Sequence, residues 1–90
     1  GLEHVAPIRA SVAEAIISVA DQLRQAGRTT FRNIVEGITD KIEVVVRFLA
    51  ILELYKQGRV ELEQVRRFGD IEVVWLGVED ESIAIDNYEG

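Results

Sequence analysis

The run Phe48-Leu-Ala-Ile-Leu-Glu-Leu-Tyr-Lys-Gln-Gly58 constrains this chain more than any other stretch. It ends a long apolar helical segment at a glycine, and Arg59-Val-Glu-Leu-Glu-Gln64 and Arg67-Phe-Gly-Asp-Ile71 follow at once. A period of 3.6 therefore gives way to a period of two within a few residues. Gly58 supplies the stop, because a glycine just past a helix takes the left-handed conformation at little cost. Val60 and Leu62 alternate with Glu61 and Glu63, Phe68-Gly69-Asp70 reads as a turn, and Ile71 to Leu76 read as the return strand of a hairpin.

Upstream of that junction the punctuation is regular. Ser11 and Glu14 have capping-box spacing, and Val12, Ile16, Val19 and Leu23 then recur at helical intervals up to Ala26, with Gly27 as the C-terminal cap. Pro7 is an alternative, earlier start, since its missing donor is harmless in a first turn. Arg28-Thr-Thr-Phe31 is short and β-prone. It hands over to a second helix capped by Thr29 or Thr30, with Ile34 and Val35 inward and Gly37 at its end. Asp40 and Glu43 again have capping-box spacing and open a third helix that runs to Gln57. Helix, short strand, two helices and a hairpin make an α+β winged helix: three helices with a small antiparallel β-sheet, the wing.

Ninety residues, 48% of them hydrophobic, suit one domain near the lower size limit for burying its own core. Residues 10–77 are expected to form it. Residues 1–9 are expected to be a lead-in, with Gly1 and His4 readable as remnants of cloning, and residues 78–90 an acidic, flexible tail. There are no cysteines, so disulfides and thiolate metal sites are excluded, in keeping with a cytoplasmic chain. No run approaches the ~18 apolar residues of a membrane span, and no membrane partner is expected.

The charge is unevenly placed. Of 16 acidic residues, Glu79, Asp80, Glu81, Asp86 and Glu89 follow Val78 with no base among them, leaving eleven acids against ten bases before it. The folded part is near neutral and shows no basic stripe of the kind that neutralises phosphates. Its one adjacent basic pair, Arg66-Arg67, sits at the hairpin tip. Evidence for catalysis is equally thin: no nucleophile elbow, no glycine-rich phosphate loop, and a single histidine, His4, near the terminus. No catalytic residue, cofactor or metal is expected.

The third helix and the last strand are apolar on more than one side. At ~100° per residue, Ile42, Val45, Phe48, Leu49, Leu52 and Tyr55 share one broad face, expected to be the core face. The opposite side carries Ala50, Ile51 and Leu54 beside Glu43 and Arg47, and is expected to be a partner surface, apolar with a charged rim, the alternative being cover by the first helix, the tail or a second copy of the chain. In the last strand, Ile71, Val73 and Trp75 project to one side and Val74 and Leu76 to the other. Trp75 is a candidate interface anchor or, alternatively, a lid on the core.

Thr39 to Ile71, through Lys41-Ile-Glu-Val-Val-Val, Phe48-Leu-Ala-Ile-Leu-Glu-Leu, Gln64 and Phe68-Gly-Asp-Ile71, closely resembles the C-terminal winged-helix domain of segregation and condensation protein A, the bacterial kleisin. The resemblance implies a non-catalytic subunit that docks on the ATPase head of a structural maintenance of chromosomes protein. Docking closes a ring used in chromosome condensation and segregation. A third subunit would bind a kleisin segment absent here, and DNA would be met only through the complex, at the nucleoid. Glu43, Arg47, Ala50, Ile51, Leu54 and Trp75 are the expected interface. Two other readings remain. One is a DNA-binding or regulatory winged helix with its third helix in the major groove and Arg66-Arg67 on the backbone. The other is weak self-association through the same patch.

Overall fold

The computed structural model describes residues 5–64 and 69–77. Helix α1 (Val5–Ala26) leads to strand β1 (Arg28–Thr30), the single-turn α2 (Phe31–Ile34), the long α3 (Lys41–Lys56), and strands β2 (Val60–Gln64) and β3 (Ile71–Trp75). The strands form one antiparallel sheet in the order β1-β3-β2. Three helices on one small antiparallel sheet are the expected α+β, winged-helix arrangement. Arg66, Arg67, Phe68 and the acidic segment from Glu79 onward lie outside the described residues.

Helix α1 is the spine of the core. Val12, Ala15, Ile16, Val19, Ala20 and Leu23 are all buried, one apolar stripe repeating every three or four residues. It begins at Val5, earlier than the Ser11 cap expected from the sequence. Ser11 therefore lies inside the helix rather than at its cap, and Pro7 falls in the first turn, where its lost N–H is harmless. The helix ends where Gly27 takes φ +77° and donates its N–H to the Leu23 carbonyl at 2.8 Å.

The connection to α3 is held by side-chain caps. Thr30 Oγ1 accepts from the Asn33 amide at 3.1 Å and caps α2. Asp70 Oδ1, far along the chain, accepts from the Arg32 amide at 3.3 Å and from the Ile71 amide at 2.8 Å, so the returning hairpin is tied to the start of α2. Asp40 caps α3 by accepting from the Ile42 amide at 2.9 Å. Glu43 does not complete a capping box; its carboxylate faces Arg47 instead, 3.4 Å from Nε. At the other end Gly58 N–H bonds to Tyr55 O at 3.0 Å and Arg59 N–H to Leu54 O at 2.9 Å. This paired closure needs the left-handed φ of +74° that Gly58 adopts.

Register sorts the two sides of the sheet. Val60 faces Trp75, Leu62 faces Val73 and Gln64 faces Ile71, and Val60 and Val73 are fully buried against the helices. Arg28, Thr30, Glu61, Glu63, Glu72 and Val74 take the outer side. Two main-chain bonds fasten the sheet to the helix ends: Trp75 N–H to Gly27 O at 2.8 Å, and Leu76 N–H to Arg59 O at 3.0 Å.

Helix α3 packs along α1 with the phase opposite to the one expected. Val46, Ala50, Ile51 and Leu54 are buried, at most 2% exposed, so Ala50, Ile51 and Leu54 are core residues and not a partner surface. Glu43 and Arg47, expected to mark an outer side, satisfy one another, and a further acid of the helix is buried. Glu43 pairs with Arg47, and the buried Glu53 accepts from Gln57 Nε2 at 2.7 Å. Ala50, with no exposed surface, lies in the same core cluster as the α1 stripe. Of the two readings of Trp75, the structure agrees with the lid on the core and not with the outward anchor: it shares the inner side with Val73, is half-buried, and packs against the core.

Candidate docking surface

Reversing the phase of α3 leaves a different apolar surface in water. Ile42 is 57% exposed, Val45 52%, Leu52 38% and Tyr55 54%. At ~100° per residue these four, with Leu49, lie within an arc of about 140°, one contiguous side of the helix. Lys41 and Lys56, also exposed, stand in the same arc at its two ends. Phe48 falls within this arc, between Tyr55 and Leu52, but is half-buried, its ring meeting that of Phe31 edge-on with centroids 5.6 Å apart, and Leu49 is likewise half-buried against the core. Scattered exposed apolar residues are ordinary, but a continuous strip on one rigid helix is the usual mark of a binding surface.

The helix holds this strip firmly. Its opposite side is locked into the core by Val46, Ala50, Ile51 and Leu54, and both of its ends are capped. A partner docking there would meet side chains already in place, which would limit the ordering cost of association.

Of the six residues expected at an interface, the structure brings Glu43 and Arg47 together as an ion pair facing α1. They line a polar cleft of about 190 Å³ with Ser11, Glu14, Ala15 and Ser18. This cleft lies beside the core contact of α3 and away from the apolar strip. Ala50, Ile51, Leu54 and Trp75 are in or against the core. Ile42, Val45, Leu52 and Tyr55, which the sequence places on the core face because both sides of α3 are apolar, are the exposed ones. A signal was available in Lys41 and Lys56, which share their arc and whose strongly hydrated ammonium groups seek water.

Neither of the other surfaces offers an obvious chemical site. The outer side of the sheet sets Glu63 opposite Glu72, with Glu61 alongside and Arg28 Nη1 3.1 Å from Glu72 Oε1. That surface is net acidic and suits phosphate poorly. Among the described residues no cluster of three or more metal-ligating side chains forms, and no helix is long and apolar enough to cross a membrane.

Comparison with known proteins gives these surfaces a context. A family model described as Segregation and condensation protein ScpA matches residues 3–76. Segregation and condensation protein A of Caldanaerobacter subterraneus subsp. tengcongensis is 49% identical over 49 residues, which are 54% of this chain and 20% of that protein. The protein of the same name from Clostridium acetobutylicum is 32% identical over 69 residues, 77% of this chain and 28% of the relative. That of Myxococcus xanthus is 36% identical over 73 residues, 78% of this chain and 25% of the relative. The chain thus spans about a quarter of the length of these curated relatives.

Proposed function

Because the chain belongs to the segregation and condensation protein A family, we propose that it is the C-terminal winged-helix domain of such a kleisin and docks through the outer side of α3 on the ATPase head of a structural maintenance of chromosomes protein. The observation that carries this reading is the contiguous strip of Ile42, Val45, Leu52 and Tyr55 on a helix fixed from behind. Each of these side chains is roughly half exposed, so covering it contributes on the order of 1 kcal/mol. Four together supply a few kcal/mol toward the cost of association.

In this role the domain performs no chemistry of its own. It provides a rigid, wettable-on-one-side helix whose burial joins two proteins and so helps to close a ring around DNA. The role is a cytoplasmic one at the nucleoid, in chromosome segregation and condensation. DNA is met through the complex, and a further subunit binds the kleisin outside this chain. A winged helix that read DNA directly would place polar and basic side chains along α3, and this one places Val45 and Leu52 there.

Isothermal titration of the domain against the ATPase head, with a short DNA duplex titrated in parallel, tests the reading. Saturable head binding that Val45→Asp or Leu52→Asp abolishes, with an unchanged circular dichroism spectrum and melting temperature, supports it. DNA binding without head binding would overturn it.

A further inference from the structure

We propose that Lys41 and Lys56 make the outer side of α3 selective for an apolar partner surface that carries a carboxylate at each end, and select against a second copy of this chain; the inference rests on the docking reading above. The two lysines are the first and last residues of the 16-residue α3. At ~1.5 Å of rise per residue they stand about 22 Å apart, with the apolar strip between them.

The sign of this surface is unmixed. Helix α3 contains two acids, and neither reaches the strip: Glu43 is turned to Arg47, and Glu53 is 4% exposed and bonded to Gln57. Lys41 makes no ion pair among the described residues, and Lys56, 73% exposed at its side chain, keeps only a 4.0 Å approach to Glu53. Among the described residues of α3, a side with two positive charges and no exposed negative one stands out on a chain whose formal net charge is −6. Lys41 is also misplaced for the helix itself, since a positive charge in the first turn opposes the helix dipole. Its presence there is better explained by something outside the helix.

Geometry then separates the two classes of partner. Copies of α3 related by a two-fold axis run either antiparallel or parallel across an isologous contact. Antiparallel pairing sets Lys41 of each copy beside Lys56 of the other, and parallel pairing sets each lysine beside its own equivalent. Lysine meets lysine in both cases, as the strip is covered and water is withdrawn, and like-charge juxtaposition of this kind suppresses wrong partners. A heterologous surface with a carboxylate near each end meets no such conflict and gains a faster approach.

The test uses the intact 90-residue chain, its cognate ATPase head as probe, and salt from about 50 to about 500 mM. Association of the wild-type chain should slow with salt, and K41E/K56E should slow it by about tenfold or more at the lower salt. Val45→Asp serves as the control that removes docking itself. If K41E/K56E associates like the wild type while Val45→Asp fails to bind, the charge inference falls and the docking reading stands. If Val45→Asp binds normally, the docking reading falls and takes the inference with it. Sedimentation of the wild-type chain as a monomer supports exclusion of a second copy; a dimer that Val45→Asp dissociates would overturn it.

Discussion

The guanidinium of Arg24 lies over the ring of Trp75, its central carbon 5.2 Å from the ring centroid. Asp21, one turn earlier on α1, approaches the same guanidinium at 3.7 Å, and the amide of Trp75 is bonded to Gly27 O just beyond the helix. The last turn of α1 and the end of β3 are thereby joined by side chain and main chain at one place. Because Arg24 is half exposed, replacing it with Ala should lower stability by only about 0.5–1 kcal/mol. Trp75, the chain's one tryptophan, should report the change directly. Urea titration followed by its emission checks this, and an emission maximum identical to wild type in the Arg24→Ala protein would show that the guanidinium does not cover the ring.

Asp70 bonds two amides and approaches Arg32 Nε at 3.8 Å, with 17% of its side chain exposed. The amide bonds should matter more than the ion pair, since Arg32 is largely exposed and such pairs contribute little. Asp70→Ala is expected to destabilise by about 1–2 kcal/mol, as loss of a helix cap does. Asp70→Asn keeps an acceptor oxygen and should lose less than half as much. Equal losses in the two variants, measured by denaturant unfolding, would assign the effect to charge.

The two sides of α3 give the sharpest contrast in the molecule. Leu54 has no exposed surface, and Leu54→Ala is expected to cost about 2–5 kcal/mol, leaving a cavity between α1 and α3. Val45→Ala, one side-chain truncation on the other side of the same helix, should stay within about 0.5 kcal/mol. Thermal unfolding of the pair separates them. A small loss at Leu54 together with a large one at Val45 would restore the opposite phase for α3.

How far the sequence could be read follows from which residues mark a direction. Gly27, Gly58 and Asp40 stop or start helices by conformation or capping, which depends on neighbours in sequence, and each does so here. Ile71, Val73 and Trp75 alternate in a strand, and the structure puts all three on the side toward the helices. Of the two starts the sequence offers for α1, the structure favours the earlier one, with Pro7 in the first turn; Ser11 and Glu14 match a capping pattern but lie inside the helix. The phase of α3 was misjudged for a different reason. Val46, Ile51 and Leu54 on one side balance Val45, Leu52 and Tyr55 on the other, so hydrophobicity carries almost no direction. The charges that should break the tie mislead, because Glu43 and Arg47 pair with each other, and Glu53 is buried with Gln57 and Lys56 as local partners that periodicity does not capture. The exposed apolar strip is thus visible in composition and invisible in orientation.

Glu53 offers the last test, since a buried carboxylate on the inner side of α3 depends on its hydrogen bonds. Its Oε2 accepts from Gln57 Nε2 at 2.7 Å, one turn along the helix. Gln57→Ala withdraws that donor from a group 4% exposed, and stability should fall by about 1–3 kcal/mol, the usual range for a buried polar atom left short of a partner. Glu53→Gln removes the charge while keeping the shape and an amide that can still meet Gln57, so it should be tolerated better than Gln57→Ala. The Glu53→Gln/Gln57→Ala double variant closes the cycle, and a coupling of about 0.5 kcal/mol or more is expected for residues in direct contact. Additive losses would mean that Glu53 is held by other groups and that Gln57 is not what permits its burial.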